Sequence, residues 1–142
     1  MGIQSTKAEL YAVCRNDLPS FVRLMFPLLH SGQKMDENWH IDVVCYQLAK
    51  VENGASRRLM IAMPPRTMKS LITSVIYPAW RLGRNPSTKM IVISHNKELA
   101  TTFSNQFRQL TSSDLYKSVF PAMSGAPVKD SEGELLTAQG GG

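Results

Sequence analysis

Residues 58–71 most constrain what this chain can fold into, because they join an apolar run to a Pro-Pro break and then to a Lys-Ser pair. The run at residues 59–63 has the length of a buried strand, and Pro64-Pro65 cannot continue a strand ladder. An amphipathic run over residues 71–82 then predicts a helix. Strand, turn, Lys-Ser and helix follow one another in phosphate-binding loops.

The chemistry expected of this loop follows from the free backbone N–H groups and the positive dipole end of a helix N-terminus, which both attract phosphate. Lys69 would add a point charge, and the hydroxyl of Ser70 would help to hold Mg²⁺. The common form of the loop has glycine at the positions of Met63 and Met68, where glycine permits positive φ. On the residues alone, a strand–turn–helix unit with a solvated lysine is therefore the alternative interpretation.

The distribution of charge favours an anionic ligand. The chain has 142 residues, 43% hydrophobic and 19% charged, as expected for about one globular domain. Its net charge is +5, and residues 53–97 contain eight basic residues and no acidic one. Such a basic region suits phosphate or nucleic acid, with a solvated basic face as the alternative.

Two further features bear on the cellular compartment. Cys14 and Cys45 lie in predicted helices and form no CxxC pair, so we expect them to be reduced and buried. The sequence has no apolar run of about 18 residues, and its N-terminus is polar. We therefore expect no membrane span, no secretory signal and a cytoplasmic location.

The remaining pattern predicts helices on both sides of the loop. A capping box at Thr6 and Glu9 opens the first of them. Strands are predicted at residues 59–63, at the β-branched run 89–94 and at 135–138. Helices are predicted over residues 6–15, 18–29, 39–51, 71–82, 96–110 and 113–120. This order predicts an α/β fold with parallel strands and a right-handed crossover.

Several motifs resemble those of phage terminase large subunits, the ATP-driven motors that package viral DNA. The loop Met63-Pro64-Pro65-Arg66-Thr67-Met68-Lys69-Ser70 resembles the P-P-R-x-x-K-S loop of that family. Tyr77-Pro78-Ala79-Trp80 and Leu82-Gly83 are similar to its P-A-W-x-L-G continuation. The resemblance extends over about residues 37–141, through Trp39-His40, Ser94-His95, Leu99-Ala100, Arg108, Tyr116, Phe120-Pro121 and Thr137-Ala138-Gln139.

The resemblance implies a fold and a set of site residues. The fold would be a partial P-loop NTPase, a parallel sheet with flanking helices at residues 39–142, after an N-terminal helical segment at residues 1–38. Lys69 would contact the β- and γ-phosphates of ATP, Ser70 would bind Mg²⁺ and Arg66 would stabilise the γ-phosphate, so Arg66 and Lys69 are the expected catalytic residues. The other expected nucleotide contacts are Pro65, Thr67 and Met68 in the loop, with Trp39 and Gln47 at the adenine or, alternatively, in packing roles.

The expected function is thus the N-terminal, nucleotide-binding part of a viral or prophage DNA-packaging terminase large subunit, truncated before the Walker B and nuclease segments. No carboxylate after Ser94 follows an apolar strand run, so we expect no ATP hydrolysis by this chain alone. The implied partners are double-stranded viral DNA, a terminase small subunit, a portal protein and other copies in a full-length motor within the bacterial cytoplasm. One alternative is a non-catalytic remnant that binds DNA or motor subunits through its basic middle; another is an unrelated small nucleic-acid-binding protein.

Overall fold

A bundle of helices forms most of the structure, a computed structural model that describes residues 2–125, 127–131 and 133–142. Two short strands follow the helices. The α-helices are α1 (Gly2–Asn16), α2 (Leu18–Leu29), α3 (Trp39–Glu52), α4 (Lys69–Leu71), α5 (Tyr77–Arg84), α6 (Lys97–Ser112) and α7 (Asp114–Val119). A π-helical turn at Ile72–Ile76, a 3₁₀ turn at Pro121–Met123 and the strands β1 (Lys129–Ser131) and β2 (Glu134–Leu136) complete the order.

The prediction of an α/β fold with a parallel sheet is wrong. In the described part of the chain, the sheet consists of β1 and β2 alone, which pair antiparallel with Lys129 opposite Leu136. Residues 59–63 and 89–94, predicted as parallel strands, belong to no strand. The physical reason is that a strand becomes part of a sheet only through ladder hydrogen bonds to a neighbour, which apolar and β-branched composition cannot provide.

The 59–63 segment nevertheless keeps the alternation of an extended chain. Leu59, Ile61 and Met63 are half-buried against the helical core, whereas Met60 and Ala62 are exposed. Side chains that alternate between two sides with a period of two indicate extended backbone. The segment therefore lies on the core as a single extended chain that leads into the loop at Pro64.

The hydrophobic core is built around α2. Asp17 begins this helix by accepting a hydrogen bond from the backbone N–H of Ser20 at 2.9 Å, and Pro19 occupies its first turn. Phe21, Val22 and Met25 are completely buried. Their partners from the other elements include Ile41, Cys45, Ile72, Val75, Ile76, Tyr116 and Val119. Burial of one such side chain contributes about 1.5–3 kcal/mol to the free energy of unfolding, so the core stabilises the helices without the predicted parallel sheet.

Helical backbone continues without interruption from Lys69 to Arg84, and Pro78 explains its π-helical turn. A proline has no N–H, and its ring would clash with the carbonyl four residues earlier. The wider turn at Ile72–Ile76, in which the Tyr77 N–H bonds to the Ile72 carbonyl, accommodates the ring. The helix predicted to end near Leu82 thus passes Pro78 and ends at Arg84.

Several local predictions are confirmed. Helices occur at Leu18–Leu29 and Trp39–Glu52, close to the predicted bounds. The helices predicted over residues 96–110 and 113–120 occur as α6 and α7, which the side chains of Asn96 and Ser113 cap. Cys14 and Cys45 are buried thiols. The capping box predicted at Thr6 is wrong, because α1 already begins at Gly2.

Among the described residues, none of the helices is long and apolar enough to cross a membrane.

Candidate functional site

Two residues of the loop between the 59–63 segment and α4 have a left-handed backbone conformation. Arg66 has φ of 64° and Met68 has φ of 60°, both in the region that side chains other than glycine rarely adopt. The hydroxyl of Thr67, between them, donates a hydrogen bond to the Pro64 carbonyl at 2.8 Å. Met68 therefore takes the backbone conformation for which the common phosphate-binding loop uses glycine.

Lys69 closes this loop on itself. Its Nζ atom donates a hydrogen bond to the Met63 carbonyl at 3.2 Å, across the loop from the end of the extended segment. Helical backbone begins at Lys69, so the first N–H groups of the helix lack carbonyl partners within the helix and face the loop end. The Lys69 side chain and the N-terminus of the helix therefore both belong to this end of the loop.

His40 supports the loop from α3, a contact that the sequence analysis did not predict. Its Nε2 atom lies 3.1 Å from the Thr67 carbonyl oxygen. A carbonyl oxygen can only accept, so the contact requires the proton on Nε2. In the sequence, His40 stands out only as the neighbour of Trp39, and its spacing to Thr67 does not indicate a contact.

The exposed residues of the loop are Pro64, Pro65, Arg66 and Ser70, while Lys69 is half-buried. Within the described chain, the guanidinium of Arg66 has no carboxylate or hydrogen-bond partner, and neither does the hydroxyl of Ser70. A cation and a hydroxyl on the same short loop are therefore available to a ligand.

Trp39 and Gln47, the two predicted adenine contacts, are not hydrogen-bonded to the loop as His40 is. Trp39 is 75% exposed at the start of α3, beside His40. Gln47 is half-buried and lies two helical turns after His40 on the same side of α3. In the described structure, neither side chain makes a hydrogen bond to the loop. The structure thus brings together residues 63–70 and His40 and leaves the role of Trp39 and Gln47 as a prediction.

The basic residues of the middle region divide into two groups. Arg81 and Arg84 form ion pairs with Glu52, with nitrogen–oxygen distances of 3.2 and 3.7 Å. Tyr77 also donates to Glu52, and burial, together with that carboxylate, raises the pKa of the Tyr77 hydroxyl. The other basic residues have no ion pair to a described carboxylate: Arg57, Arg58, Arg66, Lys69, Lys89 and Lys97.

The donor set of the loop limits what metal chemistry it can support. Ser70 supplies one hydroxyl oxygen, and among the described residues no group of three or more His, Cys, Asp or Glu side chains could hold a metal ion. Mg²⁺ is often bound by few protein ligands together with phosphate oxygens and water. The residues present therefore fit Mg²⁺ that arrives on a nucleotide, with Ser70 as one ligand.

Comparison with known proteins adds no identity to this geometry. No protein-family model, no curated protein and no solved structure matches the chain. Any functional inference therefore depends on the loop itself and on the motifs in its sequence.

Proposed function

We propose that residues 63–70 bind the phosphates of ATP, and that the chain is the nucleotide-binding part of a DNA-packaging terminase large subunit. The proposal concerns the loop and its ligand, and it does not include the parallel-sheet fold. Its main support is the left-handed Met68 directly before Lys69, at the start of a long helical run. That conformation leads directly into Lys69, which is the first residue of the helical run.

The electrostatics of the loop give the second support. Lys69 bonds to a neutral carbonyl rather than to a carboxylate, so an anion can displace that bond without breaking an ion pair. Arg66 is exposed and unpaired among the described residues. Hydrogen bonds between ionised groups are about twice as strong as neutral ones, which favours phosphate at both side chains.

The role of Mg²⁺ in this proposal is to accompany the nucleotide. It would screen the phosphate charge and take the Ser70 hydroxyl as one ligand. Within the described residues, Glu52 is the carboxylate closest in sequence before the loop, and it already pairs with Arg81 and Arg84. We therefore propose nucleotide binding for this chain and make no proposal of hydrolysis.

Isothermal titration calorimetry with MgATP tests the proposal directly. Lys69→Ala should weaken binding at least about ten-fold, since a charged hydrogen bond contributes about 1.5–3 kcal/mol. Lys34→Ala is the matched control, because Lys34 is exposed in the loop between α2 and α3 and should leave the affinity unchanged. Equal affinity of the wild type and Lys69→Ala for MgATP, or no binding by the wild type, rejects the proposal.

The Arg66→Ala variant tests whether Arg66 contacts the γ-phosphate of the nucleotide. If the guanidinium reaches that group, the substitution weakens MgATP binding more than MgADP binding. The alternative function, a basic module for DNA, is favoured by Arg57 and Arg58, which form no ion pair with a described carboxylate. It predicts duplex binding that falls steeply with salt in a chain that binds no nucleotide.

A further inference from the structure

The 89–94 segment lies on the helical bundle as an extended chain with almost no backbone pairing. Met90, Val92 and Ser94 line a groove of about 470 Å³ beside α6. Ile91 and Ile93 point the other way, and each is 88% exposed. This alternation is that of a β-strand.

Two hydrogen bonds with Gly142 show which edge of this segment is already paired. The Met90 N–H donates to the Gly142 carbonyl at 2.7 Å, and the Gly142 N–H donates to the Thr88 carbonyl at 2.9 Å. In a strand, the N–H and C=O of one residue point to one edge and those of the next residue to the other. The groups of Thr88, Met90 and Val92 therefore face the Gly142 edge, and those of Ile91 and Ile93 face the opposite edge.

The opposite edge is open. No backbone hydrogen bond to another described residue involves Ile91 or Ile93. Each of the two residues is 88% exposed, so little of the described chain covers them. Unpaired N–H and C=O groups beside exposed β-branched side chains form a template for another strand.

We infer that residues 89–94 pair antiparallel with the same segment of a second copy of this chain, in a register centred on Val92. In this register Ile91 lies opposite Ile93 of the second copy, and the two residues exchange N–H···O bonds through the open edge. The two Val92 residues meet at the two-fold axis as a pair without hydrogen bonds.

The sequence pattern supports a second copy as the occupant. Identical residues stand on either side of Val92, so the two-fold axis places isoleucine against isoleucine on the outer face. Pairs of β-branched side chains across two strands contribute about 0.2–1 kcal/mol each. A two-fold interface also pairs the open Ile91 and Ile93 edge of both copies at once.

The charges at the ends of the segment predict how the association depends on salt. Lys89 lies opposite His95 of the second copy, and Lys97 follows nearby in both copies. The ends of the interface are therefore basic, so the copies repel one another and salt should strengthen the association by screening this repulsion. Because the paired segments are short, the dimer should be weak and visible only at high protein concentration.

Sedimentation velocity over a concentration series up to about 1 mM tests the inference, since weak interfaces of this size need such concentrations. The wild type should shift from monomer to dimer, and more completely at high salt. Ile91→Lys and Ile93→Lys should remain monomeric, because each puts a cation into the pairing and adds like charge. Met60→Lys, which changes an equally exposed side chain on the 59–63 segment, should dimerise as the wild type does.

A cysteine scan tests the register. Val92→Cys should form a disulfide-linked dimer rapidly under oxidation, since Cα atoms in a pair without hydrogen bonds lie about 4.5 Å apart, within disulfide range. Ile91→Cys should link much more slowly, because its counterpart lies two residues away. The native Cys14 and Cys45 are buried and should not contribute.

Three results would overturn the inference. The wild type could stay monomeric throughout the series, or the two Ile→Lys variants could dimerise as strongly as the wild type. Equal cross-linking at positions 91 and 92 would exclude the register centred on Val92. Thermal unfolding of each variant as a monomer provides the folding control, since the isoleucines are exposed and their replacement should not affect the core.

Discussion

Ile76 and Ile93 are the same residue in opposite surroundings. Ile76 lies in the helical run after the candidate loop and is completely buried, whereas Ile93 lies on the 89–94 segment and is 88% exposed. The two regions differ in how their backbone is satisfied. A helix forms its hydrogen bonds within one segment, but an extended segment needs a neighbour.

This difference explains why the described chain forms a core without the sheet that its sequence predicts. The helices pack around α2 and bury their apolar faces against one another. The 59–63 segment contacts the core only through its inner face, and Thr88 and Met90 share a single pair of ladder-like bonds with Gly142. Apolar residues in the helices therefore stabilise the fold, while those on the extended segments remain available for contact.

The largest expected effect tests this division directly. Ile76→Ala should lower the free energy of unfolding by about 2–5 kcal/mol, because it leaves a cavity in the core. Ile93→Ala removes the same atoms from an exposed site and should change it by no more than about 0.5 kcal/mol. Urea unfolding of both variants at low protein concentration measures the contrast, and similar losses would mean that the 89–94 segment is part of the core.

Sequence reasoning succeeded for the helices because their signals are local. The helices predicted over residues 18–29, 96–110 and 113–120 occur as α2, α6 and α7, and the side chains of Asn96 and Ser113 cap the last two. The strands predicted at residues 59–63 and 89–94 failed because their signal describes a preference for extended backbone and not the presence of a neighbour. The strand predicted at residues 135–138 overlaps β2 (Glu134–Leu136). The antiparallel pairing of β2 with β1 was missed because residues 129–131 are polar and give no strand signal.

For the candidate site, the sequence predicted the position of the loop but not its conformation. The Pro-Pro break and Lys69 indicated a turn before a helix, and the structure has both. The positive φ of Met68 could not be read from a methionine, since this residue rarely adopts it. The contact of His40 with Thr67 depends on how α3 packs, which no local pattern encodes.

The next prediction concerns pH, which acts on the core and not on the extended segments. Burial raises the pKa of the Cys45 thiol from 9.0 to about 12, and that of Cys14 is raised for the same reason. Above about pH 9 the unfolded chain loses these protons while the folded chain keeps them, so stability is complete below that pH and falls as pH rises towards 12. Residues 59–63 and 90–94 have no titratable side chain and should not contribute.

Urea unfolding between about pH 8 and pH 10.5 measures this loss. One raised thiol contributes a slope of at most about 1.4 kcal/mol per pH unit, so Cys45 alone should cost about 2 kcal/mol over this range. Cys45→Ala should unfold at lower urea throughout, because it leaves a small cavity, but its stability should fall less steeply with pH. The same slope for the wild type and Cys45→Ala would show that Cys45 does not keep its proton in the folded chain.

The smallest expected effect concerns the loop that joins the extended 59–63 segment to the helical run. Met68 has φ of 60°, where alanine is strained and glycine is not. Met68→Gly and Met68→Ala both remove the side chain, so their difference isolates the backbone, and the glycine variant should be more stable by about 0.5–1 kcal/mol. Asn105 in the middle of α6 is the control, because there alanine should be the more stable by about 1 kcal/mol. If alanine is also the more stable at position 68, then the loop is not left-handed in solution, and the main support for phosphate binding is lost.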